Sequence, residues 1–387
     1  MNAPLRPAAR VTALPQNFFG ALDRAVAATR AAGVDVIDVS KGNPDLPTPA
    51  HIVSAMHAAV ADPANHGYPA YRVRPALAAA IATRYREDHG VDLDPETQIA
   101  AFHGSHEALM ASILGLADPG TTLVVPDPGY PAYATAAALA GAELRTLPLE
   151  RERGYQPDFA ALADLEGAAA LLLNYPHNPT GAVASIPTLE TAVAESTRLG
   201  AVFINDFAYS SLGFEARPLS ALTVDTTRTV EISTLSKTYN MAGWRIGYAA
   251  GAAPVIAAMR HYQAHAFSTI FGGTQDAAAA ALSGEQDAAD DLVRTYRERR
   301  DLVVSGLAAQ GWDVIAPQGT FFVWIGIDGA DDIAFAKRLL ADHGVAVAPG
   351  SGFGPGGAGF IRLGLVHPQA RLAELLERLG RVRAVAP

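Results

Sequence analysis

The sequence predicts an α/β protein built on a largely parallel sheet, because short apolar segments alternate with helical segments through most of the chain. Four apolar segments have the length and composition of buried strands, over residues 123–126, 169–174, 201–206 and 229–233. Polar residues follow these segments directly. Ligands bind at the carboxyl ends of strands in open α/β sheets, so these polar residues are expected to converge on one crevice.

The chain is too long for one hydrophobic core of ordinary size. Its 387 residues indicate two domains, since single cores stop growing at roughly 250–300 residues. The C-terminal part has a different pattern, with a charged helix, a strand and a second helix predicted over 285–300, 320–325 and 334–343. We predict a large domain over 48–284 and a smaller, discontinuous α+β domain formed by 1–47 and 285–387.

Composition excludes several kinds of site and partner. The chain has no cysteine, which excludes disulfides and cysteine-ligated metals, and no metal site is predicted. Its 29 basic and 39 acidic residues give a net charge of −10, which argues against nucleic-acid binding. Residues 1–16 contain no continuous apolar stretch that would serve as a signal core, and no later segment is expected to span a membrane. A cytoplasmic protein is therefore expected.

Lys237 is the residue on which the chemistry is expected to depend. It lies between Thr234, Ser236 and Arg245, in a segment that follows a predicted strand. A lysine forms a Schiff base with an aldehyde only as the neutral amine, which requires a pKa lowered by burial or by neighbouring positive charge. A lysine near a helix start is also a common solvated feature, so the weight of this motif depends on the other polar residues.

A second motif, Gly104-Ser105-His106-Glu107, precedes an apolar helix predicted over 108–116. Backbone N–H groups at the start of such a helix bind a phosphate well. A simple helix cap explains the segment equally well when it is considered by itself. The motif therefore indicates an anion site only in combination with the others.

Further polar residues stand near the predicted strand ends. Tyr130 lies in a proline-rich turn, Asn178 in an Asn-Pro-Thr-Gly segment, and Asp206 ends a strand three residues before Tyr209. Arg362 is flanked by apolar residues in a strand pattern, so its guanidinium needs a partner if that face of the strand is buried.

Taken in order along the chain, these motifs resemble the class I/II aminotransferases, which are fold type I pyridoxal phosphate-dependent enzymes. The resemblance extends from Gly42 to Arg362. It implies a mostly parallel seven-stranded sheet between helices in the large domain, a smaller α+β domain, and pyridoxal 5'-phosphate as the cofactor. By this resemblance, Lys237 binds the cofactor as a Schiff base and acts as general base on the substrate.

The resemblance also assigns the cofactor contacts. Asp206 would keep the ring nitrogen protonated, Tyr130 would stack on the ring, and Asn178 and Tyr209 would hydrogen-bond its phenolic oxygen. The phosphate is expected to contact a group of polar and basic residues: Ser105, His106, Thr234, Ser236 and Arg245.

Substrate and partner contacts follow in the same way. Arg362 resembles the arginine that binds the substrate α-carboxylate bidentately, with Gly42 and Asn178 beside it. Tyr68 resembles the tyrosine that reaches the phosphate of the partner subunit, which implies a homodimer with shared active sites. The sequence departs from the family pattern a few residues later, where Val73 and Ala78 replace the usual glycine and arginine.

The expected reaction is transamination between an L-amino acid and a 2-oxo acid by a ping-pong mechanism. A dicarboxylate specialist is disfavoured, because the segment 264–271 contains no arginine for a distal carboxylate. An apolar side-chain pocket is one option, lined by Phe18, Phe19, Phe267, Ile270 and Phe271. A polar or basic one is the other, formed by Arg72, Arg74 and His106.

Two alternatives to transamination stay open from the sequence. A C–S β-lyase, an oxidase or a decarboxylase on the same fold needs the same cofactor residues, so those residues do not discriminate. A ligand-sensing regulator with an aminotransferase-like domain is more remote. The segment before Gly42 is short for an attached DNA-binding domain, and the acidic balance offers no footprint for DNA.

Overall fold

The computed structural model describes residues 6–14 and 17–383. The strands of the described ranges are β1 Ile37–Asp38, β2 Ile99–Phe102, β3 Thr122–Asp127, β4 Glu143–Pro148, β5 Ala170–Leu173, β6 Val202–Asp206, β7 Thr229–Thr234, β8 Gly247–Gly251, β9 Asp313–Val314, β10 Phe322–Gly326, β11 Val345–Ala346, β12 Ala348–Pro349 and β13 Phe360–Gly364. The α-helices there are α1 Ala9–Thr12, α2 Phe18–Ala31, α3 Ala50–Ala61, α4 Pro75–His89, α5 Ser105–Leu116, α6 Ala132–Ala140, α7 Ile186–Arg198, α8 Leu235–Thr238, α9 Ala253–Ala266, α10 Gly272–Ser283, α11 Asp287–Ala309, α12 Asp332–His343 and α13 Gln369–Arg383.

Seven strands form the central sheet in the order β2-β8-β7-β6-β5-β3-β4. All neighbours are parallel except β8, which runs antiparallel to both β2 and β7. Strands β5 and β7 are buried along their whole length, as expected where helices cover both faces of a parallel sheet. The predicted fold class, with its mostly parallel seven-stranded sheet, is confirmed.

Alternating side chains of the strands divide the core between the two faces of this sheet. On β3, Leu123 and Val125 pack in one cluster with residues of α5, α6 and α9. Val124 lies between them in sequence but packs on the other face, with residues of α7. The apolar residues therefore fix the register of each strand. The polar residues that follow a strand are positioned at its carboxyl end.

A second, four-stranded antiparallel sheet has the order β12-β13-β10-β9. Residues of this sheet pack against α11, α12 and α13 in a separate hydrophobic cluster. Helix α11 is 23 residues long and ends nine residues beyond the predicted 285–300 segment, because its buried positions continue through Val303 and Leu307. In this sheet Arg362 of β13 lies opposite Trp324 of β10.

Helix α5 begins at Ser105, three residues before the predicted start. The apolar residues that predict the helix begin at Ala108, whereas the helix starts directly after Gly104, which has a φ of 90°. Only glycine adopts this conformation without strain. The earlier start places the motif Ser105-His106-Glu107 in the first helical turn rather than before it.

No helix among the described residues is long and apolar enough to cross a membrane. Within residues 6–14 and 17–383, no group of three His, Cys, Asp or Glu side chains could hold a metal ion. The N-terminal segment 1–16, in which no signal core is predicted, is described only in part. Its residues 1–5, 15 and 16 lie outside the described ranges.

Candidate active site

One cavity of about 310 Å³ brings together every residue predicted for the site except Tyr68. It lies at the carboxyl ends of strands β2, β3, β5, β6 and β7, where ligands bind in open α/β sheets. Its walls include Gly42, Ser105, His106, Tyr130, Asn178, Asp206, Tyr209, Thr234, Ser236, Lys237, Arg245 and Arg362. Tyr68 does not line this cavity, and its side chain is 99% exposed.

Lys237 lies on the short helix α8, which Thr234 begins by accepting a hydrogen bond from the Ser236 N–H at 3.2 Å. The Lys237 Nζ donates to the carbonyl oxygen of Gly42 at 2.5 Å. Burial, as the largest cause, and the positive charges of Arg362 and Arg245 together lower the pKa of Lys237 to about 8. This is the shift that a reactive neutral amine requires.

The start of α5 and the guanidinium of Arg245 form a cradle for an anion. No side chain caps the N-terminus of α5, so its first N–H groups face the cavity without an intrahelical partner. Arg245 donates to the carbonyls of Ala242 at 2.9 Å and His103 at 3.3 Å, which holds its guanidinium against Gly104. A Cβ on Gly104 would collide with that guanidinium.

Gly247 keeps the other side of the cradle open. A Cβ on this glycine would lie 2.6 Å from the backbone nitrogen of Ser105. His106 lies in the first turn of α5. Its pKa is lowered mainly by burial and also by the positive charge of Arg245. The cradle therefore combines a helix N-terminus with one guanidinium, and both favour a phosphate.

Asp206 ends strand β6 and is 8% exposed. The hydroxyl of Tyr133 donates to its Oδ2 at 2.8 Å, whereas its buried Oδ1 accepts no hydrogen bond of good geometry. Burial raises the pKa of Asp206 to about 6, outweighing the Tyr133 hydroxyl and the Ala208 amide, which favour the charged form. A buried acceptor without a partner in the cavity wall fits the N–H of a pyridinium ring.

Arg362 is 1% exposed, and two of its three guanidinium nitrogens have hydrogen-bond partners. It donates through Nη1 to Asn178 Oδ1 and through Nη2 to the Ser40 carbonyl, both at 2.8 Å. The ring of Phe322 lies 3.9 Å and that of Phe353 4.6 Å from the guanidinium carbon. Burial lowers the pKa of Arg362 to about 10, so the guanidinium remains a cation at neutral pH.

The two tyrosines of the predicted site are held by aromatic neighbours. Tyr130 contacts the ring of Tyr133 edge-on at 5.7 Å between centroids, and Tyr209 packs in the same way against Phe321 at 5.6 Å and Phe322 at 5.9 Å. Burial raises the pKa of both phenols. Both side chains are therefore neutral hydrogen-bonding groups in the cavity wall.

Several residues of the site were missed from the sequence. Asn174 donates to the Asp206 carbonyl at 2.5 Å and accepts from the Asn178 N–H at 2.9 Å. Its place at the end of a predicted strand was a usable signal. For Tyr133 the sequence contains no such signal beyond its position near Tyr130. The cavity wall also includes Asp23 and Lys41.

Of the aromatic and aliphatic residues suggested for the side-chain pocket, Phe19 lines this cavity. Phe267, Ile270 and Phe271 do not line it, and Phe267 and Phe271 are 41% and 40% exposed. Arg72 also lies elsewhere, and Arg74 is held by Asp276 at 2.6 Å.

The central sheet is largely parallel, and a lysine of lowered pKa lies beside an anion cradle at its strand ends. Together these features define a cofactor-dependent enzyme of fold type I. The sequence matches the family model described as aminotransferase class I and II over residues 34–379. The chain belongs to this family of class I and II aminotransferases. It is accordingly a pyridoxal phosphate-dependent aminotransferase, and the lyase, oxidase, decarboxylase and regulator alternatives are not favoured.

Named relatives cover nearly the whole chain. L-glutamine--4-(methylsulfanyl)-2-oxobutanoate aminotransferase of Bacillus subtilis (strain 168) is 43% identical over 95% of this chain and 94% of its own. LL-diaminopimelate aminotransferase of Desulforudis audaxviator (strain MP104C) is 41% identical over 97% and 98%. The substrate-bound structure of BacF from Bacillus subtilis superimposes with a TM-score of 0.93, at 38% identity over 98% of each chain.

Proposed function

We propose that Lys237 both holds pyridoxal phosphate and moves the proton at the substrate α-carbon. The observation that supports this most directly is the position of its amine, which lies in the cavity with a pKa lowered to about 8. When bound, pyridoxal phosphate supplies an aldehyde for the amine and a ring that withdraws electrons from the α-carbon. The neutral Lys237 amine is then the base that accepts the α-proton and returns it.

The remaining roles follow from the same cavity. We propose that the uncapped start of α5 binds the phosphate together with Thr234, Ser236 and Arg245. Asp206 accepts the hydrogen bond of the protonated ring nitrogen through Oδ1, the atom that accepts no other. Asn178 and Tyr209 face the phenolic oxygen, and Tyr130 covers the ring.

Arg362 is the proposed anchor of the substrate α-carboxylate. Its two bonds to Asn178 and Ser40 fix the plane of the guanidinium, while its Nε has no hydrogen-bond partner. Gly42 supplies backbone beside it, where a Cβ would lie 2.6 Å from the Phe322 ring. Glycine is therefore needed at position 42 if the α-carboxylate is to lie against this backbone.

The proton-transfer role is tested by single-turnover reactions of Lys237→Ala with an amino donor. We expect the rate to fall by about 10²–10⁴-fold and added small amines to restore part of it. A variant that transfers the amino group at the unaltered rate would disprove this role. Lys337→Ala, a substitution of an exposed lysine, is the matched control and should react like the parent.

We propose that the preferred substrates have no net charge at the distal end. Lys41, the cavity cation without a role above, lies 2.6 Å from Asp23, so no unpaired cation is left for a second carboxylate in this cavity wall. The name of the 43% identical relative contains L-glutamine and a methylsulfanyl oxo acid, which supports uncharged substrates. A panel of amino donors against pyruvate, 2-oxoglutarate and phenylpyruvate tests this proposal. Fastest turnover with aspartate would contradict it.

We propose a homodimer in which Tyr68 completes the site of the partner subunit. Full exposure of this tyrosine, away from the cavity of its own chain, supports a role across an interface. Mixing Tyr68→Ala with Lys237→Ala subunits, each of which should have little activity alone, tests it. A shared site predicts recovery of up to a quarter of the parent activity, because each mixed dimer then contains one intact site. A site completed within one chain predicts no recovery.

We also propose the domain division at residues 47/48 and 284/285 and a cytoplasmic location. The separate hydrophobic cluster of the four-stranded sheet and α11–α13 supports the division, and the cysteine-free sequence is in keeping with a reducing compartment. Limited proteolysis and cell fractionation test the two proposals.

A further inference from the structure

An ion pair in the wall of the cavity has no part in the roles described so far. The Nζ of Lys41 lies 2.6 Å from Oδ1 of Asp23, and both residues line the same cavity as Arg362. Their side chains are 42% and 53% exposed, respectively. The pair is therefore accessible both to solvent and to a ligand in the cavity.

Two contacts place this pair close to the proposed α-carboxylate anchor. Arg362 donates to the carbonyl of Ser40, and Lys41 is the next residue in the chain. The ring of Phe19 lies 5.6 Å from the guanidinium carbon of Arg362, and Asp23 follows Phe19 by four residues on α2. Residues four apart lie on one helix face, about 5.4 Å apart along the axis. Asp23 thus lies about one helical turn from Phe19, the residue that contacts the anchor.

The pair retains hydrogen-bonding capacity in both of its members. An ammonium has three donors and a carboxylate about four acceptor sites, and the contact between Lys41 and Asp23 uses one of each. The Asp38 Oδ2 lies 3.7 Å from the same ammonium, while its Oδ1 accepts from the Ser40 hydroxyl at 2.6 Å. Asp23 and Asp38 therefore hold Lys41 in place without exhausting its donors.

We propose that the Lys41–Asp23 pair recognises a distal carboxamide on the amino donor. The carboxamide oxygen accepts from Lys41, and its NH₂ group donates to Asp23. This inference rests on the proposed function, which places the α-carboxylate on Arg362. A side chain of the length of glutamine would then extend from Arg362 past Phe19 to the pair.

Other distal groups fit the pair less well. A carboxylate is attracted by Lys41 but repelled by Asp23, and an ammonium meets the opposite pattern. An apolar end removes water from both charges and returns no hydrogen bond. A carboxamide satisfies both members and leaves the pair intact, so it should be preferred by about tenfold or more over each of the others.

Half-reactions of the holoenzyme with glutamine, glutamate, ornithine and norleucine test the inference. The parent should have the highest kcat/KM for glutamine. Asp23→Ala frees Lys41 and should raise the glutamate-to-glutamine ratio about tenfold, whereas Lys41→Met frees Asp23 and should raise the ornithine-to-glutamine ratio similarly. The double variant should lose the discrimination between glutamine and norleucine, through KM rather than kcat.

The matched control is Lys337→Met, which should leave all four ratios unchanged. Because Lys41 and Asp23 are both partly exposed, their variants should keep the parent melting temperature, which is measured alongside. Unchanged ratios in the double variant would overturn the inference while leaving the proposed function intact. If the parent converts none of the four donors, the proposed preference for substrates with an uncharged distal end fails, and the inference fails with it.

Discussion

The hydroxyl of Tyr133 donates to Oδ2 of Asp206 at 2.8 Å, while the buried Oδ1 of the same carboxylate accepts no hydrogen bond of good geometry. One oxygen is thus fixed by the protein, and the other is left for a ligand. Such an arrangement is costly without the ligand, because burial disfavours the charged carboxylate. The cofactor-free protein should therefore gain stability from the loss of this charge.

Asp206→Asn tests this cost. Burial raises the pKa of Asp206 from 3.8 to about 6, so the stability contributed by its protonated form is present below pH 3.8 and lost as the pH rises through 6. Between pH 4 and 8 the cofactor-free variant should gain up to about 3 kcal/mol over the parent in free energy of unfolding. Urea unfolding measures this difference. Parallel pH profiles of the two proteins would contradict the account, as would undiminished cofactor affinity in the variant.

Gly104→Ala should weaken phosphate binding. The new Cβ would collide with the Arg245 guanidinium, and the positive φ adds strain of about 1 kcal/mol. Gly33→Ala is the matched control, because Gly33 also has a positive φ but no atom near the added Cβ. Affinities for pyridoxal phosphate and for pyridoxal are compared by absorbance titration. Only Gly104→Ala should lower the preference for the phosphorylated form, and equal effects of both variants would refute the assignment.

Arg362→Lys should raise the KM of amino donors and lower kcat/KM by about 10–100-fold, because a lysine cannot replace a planar, bidentate guanidinium. Its ammonium also lacks the two separate nitrogens through which Arg362 contacts Asn178 and Ser40. Steady-state kinetics with an amino acid and with the corresponding amine that lacks the carboxylate separate the two causes. A matching loss for the amine would show that the substitution acts on the fold and not on carboxylate binding.

The fold could be predicted from sequence because apolar strands have local signals, whereas the motifs of the site are weak one by one and are assigned through the family resemblance. Asp206 ends a predicted apolar strand, and Asn178 and Lys237 follow two others. Asp23 and Lys41 could not be predicted, since their contact joins α2 to the loop before Gly42, and no local pattern encodes a pairing across that distance. For the same reason, the aromatic contacts of Arg362 became apparent only from the packing of Phe322 and Phe353.

The rate of cofactor incorporation into the cofactor-free protein should depend on the pKa of Lys237. Burial and two nearby guanidinium groups lower this pKa from 10.5 to about 8, and only the neutral amine reacts. The rate should rise about tenfold per pH unit below pH 8 and level off above it. Stopped-flow absorbance follows the reaction. In Arg362→Lys a positive charge remains, so the profile should shift little, whereas Arg362→Met should move it to higher pH. A profile independent of pH between 6 and 9 would contradict the assignment.

The lysine that holds the cofactor can be identified directly, because the chain has only three lysines, Lys41, Lys237 and Lys337. Two of them, Lys41 and Lys237, line the cavity. Borohydride reduction of the holoenzyme, followed by peptide mass spectrometry, identifies the lysine that is bonded to the cofactor. We expect a pyridoxyl adduct on Lys237 alone and its loss in Lys237→Ala. An adduct on Lys41, or a Lys237→Ala variant that keeps both turnover and a reducible linkage, would contradict it.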